Sequence, residues 1–90
     1  MIETVADRQP STDQRRVLQT IANFGGTAAV FAILRRLDRE LPAAEDLPSG
    51  YTWELIVKNG WATVDTYGET EKRYWMYSLT PAGYATLVAA

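Results

Sequence analysis

The chain has 90 residues, 47% of them hydrophobic, a formal net charge of −2, and neither cysteine nor histidine. That length supports one domain with a modest core. The two missing residue types exclude disulfides, cysteine or histidine metal ligation, thiol chemistry and imidazole acid–base catalysis.

No apolar run approaches the roughly 20 residues of a membrane span, and the first residues lack a signal-peptide core. The expectation is a cytoplasmic protein without membrane contact.

Residues 1–10 show no hydrophobic period and mix Glu3, Asp7 and Arg8 before Pro10. They read as an N-terminal arm, and residues 11–90 as the domain. Ser11 with Gln14 three positions on makes a capping-box pair, and Asp13 sits where a helix dipole favours negative charge. Val17, Leu18, Ile21 and Phe24 recur at helical spacing up to Gly25 and Gly26, which predicts a first helix over 12–24.

Thr27 reads as the N-cap of a second helix. Its apolar stripe is Val30, Leu34, Leu37 and Leu41, widened by Phe31 and Ile33; the opposite stripe is Ala32, Arg35, Arg36 and Arg39. Pro42 ends it. Residues 41–47, with Glu45 and Asp46, form an acidic connection. A short third helix starts at Pro48 or Ser49 and stops at Gly60. It buries Trp53, Ile56 and Val57 and leaves Tyr51, Glu54, Leu55 and Lys58 off that face.

Two β-rich runs, 60–67 and 72–79, flank Gly68-Glu69-Thr70-Glu71 and predict a hairpin. With the turn centred between Glu69 and Thr70, Val64 faces Trp75, Ala62 faces Tyr77, and Leu79 continues the inner face. The outer face then holds Thr63, Asp65, Tyr67, Lys72, Tyr74 and Met76. Thr80 caps a last helix over 81–88, with Pro81 at its first position and Tyr84, Leu87 and Val88 available for packing.

Asn59-Gly60-Trp61-Ala62 after a helix, then a hairpin, then Tyr77-Ser78-Leu79-Thr80-Pro81-Ala82-Gly83, resembles the C-terminal half of MarR- and PadR-type winged-helix regulators. Those proteins end the recognition helix with a Lys-Gly-Leu-like step and leave the wing through Tyr-x-Leu-Thr-x-x-Gly. The resemblance implies an α+β winged helix-turn-helix: a three-helix core, a two-stranded β-hairpin wing and a short C-terminal helix. Three features depart from that pattern. The stretch from Thr27 to Gly60 is several residues longer than usual, with an acidic insertion at 41–47. The third helix presents few cations, and the wing tip is Glu69 and Glu71 before Lys72 and Arg73.

Two functions stay open. As a small DNA-binding transcriptional regulator, the chain would use Ser49, Gly50, Tyr51, Thr52 and Lys58 in the major groove. Arg35, Arg36 and Arg39 would meet phosphates, and Lys72 with Arg73 would place the wing. Binding would call for a homodimer built through the last helix or the arm, because one subunit offers few phosphate contacts.

Alternatively, the chain is an acidic winged-helix protein-interaction module, an adaptor or a phage-type inhibitor of a host complex, that leaves DNA alone. All three tryptophans and all five tyrosines lie between Tyr51 and Tyr84, more than so small a core absorbs. Its surface would be Trp61, Tyr67 and Tyr74 with the carboxylates Glu69 and Glu71. No catalytic constellation, metal set or cofactor motif emerges under either reading, and a non-enzymatic protein is expected.

Overall fold

The computed structural model describes residues 9–40 and 50–88. Leu41, the expected acidic connection and the start of the third helix at Pro48 or Ser49 lie outside them, as do residues 1–8 of the arm. Four helices surround one small sheet: α1 (Thr12–Asn23), β1 (Thr27–Ala29), α2 (Val30–Glu40), α3 (Gly50–Lys58), β2 (Ala62–Asp65), β3 (Met76–Leu79) and α4 (Pro81–Val88). A 3₁₀ turn, Lys72–Tyr74, precedes β3. The sheet is antiparallel in the order β1-β3-β2.

The caps of α1 follow the residues that announce them. The Gln14 amide donates to Ser11 Oγ at 3.2 Å while the Ser11 amide donates to Gln14 Oε1 at 2.9 Å, so each side chain satisfies an orphan donor at the helix start. At the other end the Gly26 amide reaches Ile21 O and the Gly25 amide reaches Ala22 O, the paired closure that needs a left-handed residue after the helix. Gly25 supplies it at φ 94°.

Thr27 does not cap α2. It opens β1, which pairs with β3 in the register Thr27↔Ser78, Ala28↔Tyr77 and Ala29↔Met76. The cause is β3, whose open edge is covered by the residues before α2. Helix α2 begins only at Val30, whose amide donates to Trp75 O at 3.0 Å. The carbonyl at the entry to β3 thus replaces the expected side-chain cap. The buried stripe is Val30, Ile33 and Leu37, with Leu34 half-buried and Phe31 exposed.

The hairpin is two residues out of the expected register. Val64 pairs with Tyr77 and Ala62 with Leu79. The tight turn lies at Thr66–Glu69, where the Glu69 amide donates to Thr66 O at 2.8 Å. Tyr67 at φ 51° and Gly68 at φ 76° are the two left-handed residues at its centre. The 3₁₀ turn then absorbs chain that a straight second strand would have used. A slip of two preserves side-chain parity, so Ala62 and Tyr77 are still buried while Thr63 and Asp65 stay exposed.

The core is continuous: Val17, Leu18 and Ile21 of α1, Ile33 and Leu37 of α2, and Ile56 of α3 meet Trp53, Trp61 and Tyr77. The Trp53 and Tyr77 rings lie 5.0 Å apart. Helix α3 ends like α1, with the Trp61 amide on Ile56 O and the Gly60 amide on Val57 O. Thr80 Oγ1 donates to Gly60 O at 2.5 Å and accepts the Gly83 amide at 3.0 Å. A Cβ on Gly83 would be driven into the Trp61 carbonyl oxygen, so only glycine lets α4 seat here.

Two predictions follow from this packing. Gly83→Ala forces α4 away from the β2 entrance and should cost about 2 kcal/mol or more, read as a lower midpoint in denaturant unfolding. Burial first, and the Glu54 carboxylate second, raise the Tyr77 phenol above its ordinary 10.0. An unfolded chain therefore releases this proton before the folded one does. Stability is unaffected below pH 10 and falls as pH rises from there towards the folded value. Denaturant titrations on either side of pH 10 should show that loss, and Tyr77→Phe should lessen it.

Candidate nucleic-acid interface

Helix α2 turns one face to the core, and its opposite face carries Arg35, Arg36 and Arg39 around Ala32. Phe31, Arg35 and Arg39 are spaced by four, so they line one side of that outer face. The closure of α1 delivers Phe24 to the same place, with the Arg36 guanidinium 5.8 Å from its ring centroid. Arg36 also donates through Nε to Glu40 at 2.7 Å. Among the described residues Arg35 and Arg39 form no ion pair. Phe24, Phe31, Ala32 and the three arginines enclose a shallow hollow of about 220 Å³.

The 3₁₀ turn brings the second group of cations against this face. Tyr74 meets Phe31 edge-on, with ring centroids 6.1 Å apart and planes at 71°. The Arg73 guanidinium sits 4.8 Å from the Tyr74 centroid, and Lys72 Nζ sits 5.9 Å from the Trp75 centroid. Arg73 donates through Nε to Glu71 at 2.9 Å. That hydrogen bond first, and the Glu71 charge next, push the guanidinium further above its ordinary value, so it stays cationic. The Trp75 indole donates to Glu69 O at 2.9 Å and ties the turn to the wing tip.

The residues expected to read a groove are less concentrated. On α3, Gly50, Tyr51, Glu54 and Lys58 are exposed, so a carboxylate lies between the tyrosine and the lysine. Thr52 is buried against the core with Trp53 and Ile56 and is withdrawn from any groove, because it falls on the apolar side of a nine-residue helix. Ser49 lies outside the described residues.

Of the expected protein-interface set, Trp61 is also buried, held where α3 passes into β2. Tyr67 is 70% exposed at the wing turn. Glu69 and Glu71 are exposed beside it. Tyr74 belongs to the arginine face rather than to the Tyr67 side of the wing.

Phe24 and Phe31 were expected in the core and instead stand 41% and 47% exposed. The spacing of Phe31 to Arg35 and Arg39 is the sequence signal that could have placed Phe31 on the outer face. A larger groove, about 520 Å³, runs between α1 and α2 and includes Arg15 and Arg16 in its lining. Both are engaged: Arg15 donates to Thr86 O at 3.0 Å, and Arg16 lies 3.9 Å from Asp13.

Compared with protein-family models, curated proteins and solved structures, the chain matches none. Among the described residues no helix is long and apolar enough to cross a membrane.

The Phe31–Tyr74 contact couples the wing turn to α2 alongside the Val30–Trp75 backbone hydrogen bond. Unfolding measurements on Phe31→Ala, Tyr74→Ala and the double variant should give a coupling of about 0.5–1.5 kcal/mol. Additive effects would mean that the two rings do not hold each other.

Proposed function

We propose that the protein is a non-catalytic, winged-helix DNA-binding regulator. The architecture supports this reading: a β1-β3-β2 sheet with two helices between β1 and β2 is the arrangement a winged helix-turn-helix requires. The observation that carries the functional step is the Phe31–Tyr74 contact, which joins the segment of Arg35, Arg36 and Arg39 to that of Lys72 and Arg73 and so groups five cations, among the exposed acids Asp38, Glu40, Glu69 and Glu71, on a chain of net charge −2. Overall acidity repels a polyanion at long range, but salt screens that repulsion beyond about 8–10 Å and leaves a local cluster of guanidinium groups effective.

In this arrangement Arg35, Arg39, Lys72 and Arg73 meet phosphates, while Tyr51 and Lys58 of α3 approach the groove. Glu54 between them limits how tightly α3 can sit, so backbone contacts dominate. A two-fold dimer doubles those contacts. Helix α4 is the candidate element for it, since it has no charged residue and leaves Val88 82% exposed.

A second reading rests on Tyr67. Its ring is held out at the wing turn on a left-handed residue, with the Asp65 carboxylate accepting its amide at 2.9 Å, next to exposed Glu69 and Glu71. That is the anchor of a protein partner if DNA is not bound.

Titration of a mixed-sequence duplex decides between them. Binding should be strongest at low salt, and Lys72→Gln should lower affinity and reduce the salt slope by about 1. No binding at low salt would sink the regulator reading in favour of the Tyr67 surface. Binding that survives Lys58→Glu combined with Lys72→Glu would displace the site and leave the function.

A further inference from the structure

The cationic face holds more aromatic surface than phosphate contacts use. Phe24, Phe31 and Tyr74 are each between 41% and 47% exposed, and all three sit among arginines rather than in the core. Phosphate oxygens gain nothing from a phenyl ring. Duplex DNA offers no base face to one either, because its bases are stacked on each other. An unpaired strand offers both chemistries together, an anionic backbone and free π-faces.

We infer that the α2–wing face takes a single strand of DNA, with one base seated in the hollow over Ala32 and a neighbouring base against Phe31 and Tyr74. The inference rests on the nucleic-acid reading above and names the form of DNA that the same face prefers.

The geometry fits that occupant. The hollow of about 220 Å³ has Phe24 and Phe31 as apolar walls and Arg35, Arg36 and Arg39 at its rim, room for a single planar ring rather than a helix or a strand of protein. Arg36 lies over the Phe24 ring and Arg73 over the Tyr74 ring, so a base stacked on either ring joins an aromatic already polarised by a cation. Arg35 and Arg39, separated by about 6 Å along the helix axis, match the step between successive phosphates of one strand. Neither is tied to a carboxylate among the described residues. The Phe31–Tyr74 edge contact makes the platform continuous from α2 to the wing turn.

The test is fluorescence anisotropy with a short labelled oligothymidine and a mixed-sequence duplex of the same length, at low and moderate salt. The single strand should bind at least about tenfold more tightly than the duplex. Phe31→Ala should weaken single-strand binding by about tenfold or more, and duplex binding by less, since there the ring only positions Tyr74 and the cations beside it. Phe31→Leu keeps apolar bulk without a π-face and should show the same selective loss. It serves if the alanine variant melts early. Arg35→Gln with Arg39→Gln should weaken both forms.

Equal affinity for the two forms, or single-strand binding indifferent to Phe31→Leu, would overturn the inference and leave the duplex reading intact. Absence of binding to either form at low salt would overturn both. A glutamate-rich peptide with a central phenylalanine is the remaining arm. If that peptide binds in a Phe31-dependent way and oligothymidine does not, the face belongs to a protein partner and the inference is lost.

Discussion

The joint between α3, the two wing strands and α4 depends on the Trp61 backbone. Its amide closes α3 by reaching back to Ile56 O, and its carbonyl accepts the Thr80 amide at 3.1 Å as β3 ends. That carbonyl also occupies the space where a Cβ of residue 83 would lie. Thr80 completes the joint by bonding Gly60 O with its hydroxyl while capping α4 through the Gly83 amide. One short region therefore fixes the end of α3, the start of β2, the end of β3 and the start of α4. Trp61 and Gly83 are buried and Thr80 is half-buried, so leaving one of their backbone groups unpaired would cost on the order of 1–3 kcal/mol. This is why glycine, threonine and glycine recur at Gly60, Thr80 and Gly83.

The wing turn is positioned by different forces. Between Asp65 and Met76 the ladder stops, and local devices replace it: a tight turn at Tyr67 and Gly68, the Trp75 indole on Glu69 O, and Tyr74 against Phe31. Most of these are surface interactions, each individually modest. Their combined effect is to rotate Lys72 and Arg73 out of a regular strand and towards α2. The cationic face is thus a product of the 3₁₀ turn. A straight hairpin would have pointed Lys72 and Arg73 to opposite faces of the sheet.

Charge distribution then sets how this face and α3 divide the work under the proposed function. The exposed row of α3 runs tyrosine, glutamate, lysine and cancels itself, whereas α2 and the wing turn concentrate guanidinium groups over aromatic rings. Two of those guanidinium groups have carboxylate partners, Arg36 with Glu40 and Arg73 with Glu71. Such exposed pairs are weak and exchange readily for a phosphate. Under the proposed function an acidic protein can in this way group its cations without a basic overall composition.

How much of this was legible in the residues differs from element to element. The capping box at Ser11 and Gln14, the stop at Gly25 and Gly26, the stop at Gly60 and the cap at Thr80 were readable because each depends on groups within a few positions of one another. The inward faces of β2 and β3 were readable for the same reason, since alternation survives a slip of two. Strand β1 was not readable: three residues pair with β3 only because a distant edge needs covering, and Thr27 alone looks like a helix cap. The exposure of Phe24 and Phe31 and the burial of Thr52 and Trp61 were likewise set by which faces the helices present to one another. The sequence by itself determined the caps of α1 and α4, the stops of α1 and α3, and which chemistries are excluded. Tertiary packing decided which aromatics reach the surface and which cations share a face, because those outcomes depend on contacts between residues far apart in the chain.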